Sequence, residues 1–395
     1  MIEEILVFLV VLFVAAALLR DDFAFTILYL FAGIYIVGRW WSGRAVKAIR
    51  IFRDFTPRAF LGDDVKVRLE IRNTGILPVP WLRVQDSLPI ELAAPGLFKR
   101  VLSMGSRGKE EFEYVLKTRK RGYYPIGPLV ASSGDLFGLG VENRLEGGLS
   151  HLTVYPKIYI LSKLELPSRS PMGTLRHKQP IFEDPTRVLS KRDYVAGDSL
   201  RRVDWKATAI TGRLQVKQFE PSIALETAIF LNLNLNEYDL RARFDATELA
   251  IIIAASIANR VIDQKQALGL NTNGLDPLSN LQRFRPLPIR RGQGHLMHIL
   301  DVLARIEAAE TLPFLDMLRQ EIVHLPWGST LVLVTGSAEE ALFDGLFQIR
   351  RSGLNAVLVL AGQIAHTQRI RQRAEYFKFP FYNIRTEFDL DMWRS

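Results

Sequence analysis

Three groups of residues in this chain have the types and spacing to do chemistry. Ser199 stands in Gly197-Asp198-Ser199-Leu200, a short run in which some esterases place their nucleophile. A serine nucleophile needs a His base and an acid that orients it. None of the histidines has an Asp three residues earlier, and the run lies mid-chain among arginines rather than after an N-terminal strand. A Ser hydrolase at Ser199 is the weakest reading of that motif. His295, His298 and Asp301 lie three residues apart at the start of a helical stretch and can share one face. Two His and an Asp can ligate zinc, but no fourth ligand or general base accompanies them, and surface residues of a helix start are the commoner explanation. The third group runs from Lys191 to Glu220. It interleaves Lys191, Arg192, Arg201, Arg202 and Lys206 with Asp193, Asp198 and Asp204 around Tyr194 and Trp205.

That third group has the chemistry of pairing and docking rather than of turnover. Asp198 follows a permissive Gly197 and can cap a helix. The helix would run to about Ile210, with Leu200, Val203, Ala207 and Ile210 at three- and four-residue spacing, and Gly212 would stop it. On it Asp198 could pair with Arg202, and Arg201 could lie over Trp205. Leu214 to Phe219 reads as a strand. By composition alone this is a capped helix laced with surface ion pairs.

Arg192, Tyr194, Gly197, Asp198, Arg201, Val203, Asp204, Trp205, Lys206 and Ala207 together resemble the signature of the prokaryotic family known as domain of unknown function 58. The chain departs from that pattern at Ile210, where an Arg is usual. Arg121 to Pro128 and Asp135 to Leu139 are also similar to phrases found upstream in that family. The resemblance implies a von Willebrand factor A-like domain and a MoxR-type AAA+ ATPase as the usual companion, and no residue of the chain is read as catalytic. It makes Arg192, Tyr194, Gly197, Asp198, Arg201, Asp204 and Trp205 either partner surface or the brace of the domain's entry segment.

These residues need a frame. The chain's 395 residues are 48% apolar, enough for two or three domains with real cores. The absence of cysteine excludes disulfides, thiolate metal sites and Cys nucleophiles. The net charge of +9 is uneven: −2 over residues 1–41, +12 over 42–221 and −1 over 222–395. A basic middle just after an apolar N-terminus suits an anionic lipid face better than a nucleic-acid groove. No aromatics interleave the basic residues at base-stacking density, so no nucleic acid is expected as a partner.

The N-terminus carries two apolar runs, Ile5 to Leu19 and Phe23 to Gly38, joined by Arg20-Asp21-Asp22. As helices each is about 22–24 Å long, slightly short of the ~30 Å hydrocarbon core. Residues 1–41 read as a transmembrane hairpin, with Trp40 and Trp41 in the interfacial belt. Arg39, Arg44, Lys47, Arg50 and Arg53 follow the second run. The positive-inside rule then places the chain as a two-pass protein of the cell membrane, its bulk cytoplasmic and the lipid bilayer its first partner.

Residues 42–162 read as an all-β, immunoglobulin-like sandwich of roughly seven strands. Val65 to Arg72 alternates apolar with charged residues, Asn73-Thr74-Gly75 is its turn, and Leu82 to Val84, Phe112 to Leu116 and Leu152 to Tyr155 repeat the theme. Residues 163–190, polar and rich in Pro, read as a linker. Residues 191–395 hold the signature and then an α/β doubly wound domain. Its strands are Thr227 to Leu233, Gln266 to Asn271, Thr330 to Thr335, Ala356 to Leu360 and Phe381 to Ile384. Its helices are Asp245 to Asp263, Gly294 to Ile306, Leu315 to Val323, Ala338 to Arg351 and His366 to Phe377.

Ligands of such sheets sit beyond the carboxyl ends of the strands. The first strand ends in Asn232-Leu233-Asn234-Leu235-Asn236, where the family resemblance implies an Asp-x-Ser-x-Ser cation loop completed from Thr335. Three amides offer oxygens but no charge, so Asn232, Asn234, Asn236 and Thr335 read as a degenerate metal site, and no cofactor is expected. No phosphate-cradling loop occurs, and Gly292-Gln293-Gly294 lacks a dinucleotide fingerprint's third glycine. The expectation is a non-enzymatic, membrane-anchored adaptor that docks a partner. A divalent-metal-dependent receptor acting through Asn232–Asn236 is the alternative.

Overall fold

The computed structural model describes residues 2–19, 22–92, 97–134, 143–161, 183–195, 198–221, 226–279, 284–364 and 367–391. The chain forms two compact units, Met1–Pro156 and Lys157–Ser395.

The first unit opens with helices α1 (Ile2–Leu19) and α2 (Asp22–Lys47), which meet at Phe8 and Phe31, rings edge-on at 5.9 Å. Among the described residues no helix is long and apolar enough to cross a membrane. This corrects the expected transmembrane hairpin. The end of α2 also differs from the sequence expectation. The helix does not stop at Gly38 but continues through Arg39 and Arg44 to Lys47, and this last stretch docks on protein. Ala45 and Val46 are buried, Trp41 packs against the β-sheet core, and its Nε1 donates to Pro78 O at 2.9 Å. Trp41 is thus a packing residue and not part of an interfacial belt. Arg53, counted among the flanking cations, is an interior residue that binds Asp86 at 2.7 Å.

Among the described residues ten strands follow: β1 (Ile49–Asp54), β2 (Arg58–Phe60), β3 (Asp64–Asn73), β4 (Val79–Ser87), β5 (Leu97–Met104), β6 (Lys109–Lys117), β7 (Gly122–Ile126), β8 (Leu129–Ser133), β9 (Asn143–Glu146) and β10 (Ser150–Tyr155). They form sheets ordered β1-β3-β6, β2-β10-β7 and β5-β4-β8-β9 around one apolar core. The alternation read in β3 holds: Val65, Val67, Leu69 and Ile71 point inward and the charged residues between them do not. Asn73 ends β3 as an Asx turn. Its Oδ1 accepts from Gly75 N at 3.0 Å, while its amide donates to Leu77 O and Gly105 O.

The second unit begins with β11 (Glu183–Asp193), α3 (Trp205–Thr211) and β12 (Gln215–Pro221), in which β11 and β12 pair antiparallel. Then come β13 (Glu226–Leu231), α4 (Arg243–Asp263), β14 (Ala267–Thr272), β15 (Leu287–Arg290), α5 (Gln293–Arg305), α6 (Phe314–Glu321), β16 (Thr330–Thr335), α7 (Glu340–Arg351), β17 (Asn355–Ala361), α8 (Thr367–Tyr376), β18 (Phe381–Ile384) and α9 (Glu387–Asp391). They build a six-stranded sheet of order β15-β14-β13-β16-β17-β18. All its pairings are parallel except that of β14 with β15. Ala228, Phe230, Leu331, Leu333, Leu358 and Leu360 face α6, α7 and α8. The alternate residues of β13, β16 and β17 are equally buried on the other face, where α4 lies. The doubly wound α/β expectation for this region therefore holds. The strand order reverses between β13 and β16, which is where a crevice opens in sheets of this kind. His366 and the stretch 162–182, most of the expected linker, lie outside the described residues.

Candidate functional site

At the switch point the crevice is filled by the chain's own side chains. Tyr238 is buried, and its ring lies so close over Gly336, just past β16, that a Cβ there would sit 2.0 Å from it. The Tyr238 hydroxyl donates to Asn232 O at 2.6 Å. Burial pushes that phenol well above its usual range, so it stays a donor.

Around this plug the expected degenerate metal positions form a closed network. Asn232 presents its amide nitrogen to Thr335 Oγ1 at 2.9 Å and to Glu237 Oε2 at 2.7 Å. Its carbonyl accepts from Asn234 N and from Asn273 Nδ2, both at 3.0 Å. Asn234 Oδ1 accepts from Asn236 N at 3.2 Å, and its amide donates to Thr311 O at 3.1 Å. Thr335 Oγ1 donates to Ser337 O at 3.2 Å. Of the four positions the structure brings Asn232, Asn234 and Thr335 together through their side chains, and Asn236 joins through its backbone. The sequence reading missed Glu237, Tyr238 and Asn273. Glu237 Oε1 also accepts from Phe314 N at 2.8 Å, at the start of α6. The side-chain carbonyl oxygens of Asn232 and Asn234 already accept hydrogen bonds from the chain itself. Among the described residues no group of three His, Asp or Glu is placed to hold a metal.

Replacing Asn232 by Asp tests this closure. The substitution removes two donors and sets a carboxylate against Glu237. We expect a loss of about 2–3 kcal/mol, read as a lower thermal midpoint that Mg²⁺ does not restore.

The His pair does not form a site. His295 Nε2 lies 2.8 Å from Leu268 O, and burial together with His298 and Arg290 holds its pKa below the usual value. Ser199 is exposed ahead of a one-turn 3-10 helix, Leu200–Arg202, and makes no side-chain capping bond. Among the described residues no hydrogen bond joins it to a His.

The signature segment folds as a hairpin excursion between β11 and β12. Tyr194 N donates to Leu214 O and Asp204 N to Gln215 O, both at 2.8 Å, and Val203 is buried opposite Val216. The continuous helix from Asp198 does not form; the chain extends at Val203 and Asp204, and α3 starts at Trp205. The cap is Asp204, whose Oδ1 accepts from Lys206 N and Ala207 N at 3.1 Å. Its Oδ2 meets Lys191 Nζ at 2.8 Å. That Lys191 contact, with the cap bonds, holds the carboxyl below the usual range. Asp198 is gripped by Arg192: Arg192 Nη1 and Nη2 donate to its two oxygens at 2.6 and 2.7 Å, and Val195 N adds a bond at 3.0 Å. This fork holds Asp198 below the usual range as well. The break at Val203 also removes the four-residue helical spacing that would have laid Arg201 over Trp205. Gly212 ends α3 as expected, at φ 67°. Gly197 lies outside the described residues.

Arg192, Asp198 and Asp204, joined by Lys191, are engaged in ion pairs and hydrogen bonds within the segment. Trp205 and Ile210 are 68% and 78% exposed, Leu200 is 63% exposed, and Arg201 and Lys206 also face outward.

Residues 190–326, which span this segment and the sheet from β13 to α6, match the family described as "Protein of unknown function DUF58". A curated relative is the "Uncharacterized protein YeaD" of Bacillus subtilis (strain 168), 24% identical over 266 residues, a match covering 66% of this chain and 63% of that protein. The match therefore spans somewhat under two thirds of the relative's length. Among solved structures, the conserved hypothetical protein BatB from Bacteroides thetaiotaomicron aligns over 42% of this chain and 94% of its own, at 12% identity and a TM-score of 0.31. The CARDB domain of PF1109 from Pyrococcus furiosus aligns over 27% and 91%, at 15% identity and a TM-score of 0.21.

Proposed function

We propose that this chain is a non-enzymatic adaptor that docks a protein partner through the signature segment, and that the sheet behind it is a von Willebrand factor A-like domain whose cation loop has been replaced by a hydrogen-bonded plug. One observation carries the reading. Trp205, Leu200 and Ile210 are large, apolar and exposed on a short segment whose carboxylates are already committed to fixing its shape. Trp presented on a rigid support is the usual anchor of a protein interface. The switch point, where a sheet of this kind would bind a small ligand, is closed by Tyr238 and Asn232. The resemblance to domain of unknown function 58 makes a MoxR-type AAA+ ATPase the first partner to try.

The test is interferometry between the purified chain and a MoxR-type ATPase from the same genome. Trp205→Ala should abolish binding while leaving the thermal midpoint unchanged. Binding undiminished by Trp205→Ala overturns the proposal, and a fall in thermal midpoint would assign Trp205 to the brace.

A further inference from the structure

The charge on the docking segment is one-sided, and that says what its partner offers. On α3, at 100° per residue, Trp205, Lys206, Ala209 and Ile210 share one arc, and each is exposed. Ala207, on the opposite side, is buried, and Thr208 Oγ1 accepts there from Gln215 N at 3.0 Å. Leu200 and Arg201, on the turn before α3, and Arg213, just after it, are exposed as well. The acids between Asp193 and Asp204 are all taken. Asp198 is gripped by Arg192, Asp204 by Lys191 and the α3 amides, and Asp193 accepts from the Gln215 amide. Among the described residues Arg201, Lys206 and Arg213 have no acidic partner.

Resting on the docking reading above, we propose that the partner surface is an acid-rimmed apolar pocket: apolar side chains that receive Trp205 and Ile210, flanked by Asp or Glu that meet Arg201 and Lys206. Burying the Trp205 face against a neutral surface would strip water from two cations without replacing it, which disfavours association. An acidic rim supplies the missing partners and also steers the encounter. A nucleic acid is the poorer fit, because one Trp gives no ladder for stacked bases.

The test uses the full chain and immobilised helical peptides of about twenty residues with one leucine face flanked by Glu, by Gln or by Lys. At about 50 mM salt the Glu peptide should bind at least about tenfold tighter than the Gln peptide, and the difference should shrink at about 300 mM. The double variant Arg201→Glu/Lys206→Glu should erase the preference, whereas Lys66→Glu, an exposed lysine of the other unit, should keep it. Equal binding of the Glu and Gln peptides overturns the inference. So does an equal effect of Lys66→Glu, or full competition by a single-stranded oligonucleotide. If Trp205→Ala still abolishes ATPase binding while the charge variants change nothing, only the acidic rim falls; if Trp205→Ala changes nothing, the docking reading falls with it.

Discussion

Replacing Asp86 by Ala should destabilise the N-terminal unit by about 3–5 kcal/mol, a drop in its thermal midpoint of roughly 10 °C. Asp86 is fully buried, and the Arg53 side chain beside it is only 6% exposed. Arg53 Nη2 donates to Asp86 Oδ1 and Tyr114 OH to Oδ2, both at 2.7 Å, while Arg53 Nη1 donates to Ile126 O at 2.8 Å. The group ties β1 and β6 to β4, which belongs to a different sheet. Burial pushes the Asp86 carboxyl up, and the Tyr114 and Arg53 donors oppose this without cancelling it. Removing the carboxylate strands a guanidinium in the core, and that stranded charge is the main cost. The double variant Arg53→Met/Asp86→Leu should therefore lose much less than Asp86→Ala. Calorimetry on the two variants measures both losses. Equal losses would mean that Arg53 is not left uncompensated.

The second large effect is on binding rather than on stability. Trp205→Ala should cost about 2–4 kcal/mol of partner affinity, the range of an interface anchor. Its effect on the fold should be within about 0.5 kcal/mol, because the exposed indole is not needed to hold α3 in place. That work falls to the Asp204 cap and the buried Val203 and Ala207. The contrast with Asp204→Ala is the informative one: it removes a helix cap and the Lys191 partner together, so binding and stability should fall in step. A titration that shows the same loss of affinity for both variants, with only one of them destabilised, separates surface from brace.

How much of this could be read from the sequence depended on how local each cause was. The alternation in β3 and the unbroken apolar runs of β16 and β17 show their burial directly, one face in the first case and both in the others. Gly212 is legible as a stop because only the local backbone matters there. The start of α3 is not. The sequence points to Asp198 as the cap, but Arg192 on β11 takes Asp198, and Asp204 caps α3. The continuation of α2 past its apolar run is not legible for the same reason: the contact that docks its end, Trp41 on Pro78, spans 37 positions. β15 was missed because it is four residues long and carries Pro288, which only a sheet edge accepts. At the switch point, Glu237 and Tyr238 stood in plain view beside Asn236. Their role shows only once Asn273 and Thr335 arrive from distant strand ends.

Amide hydrogen exchange on the full chain, with and without a MoxR-type ATPase, tests the docking role of the signature segment most directly. New protection is expected over residues 199–211, around Trp205, with the Asn232–Asn236 loop unchanged. Saturating ATPase that leaves residues 199–211 exchanging as before, with protection confined to the loop or to another face, would contradict it.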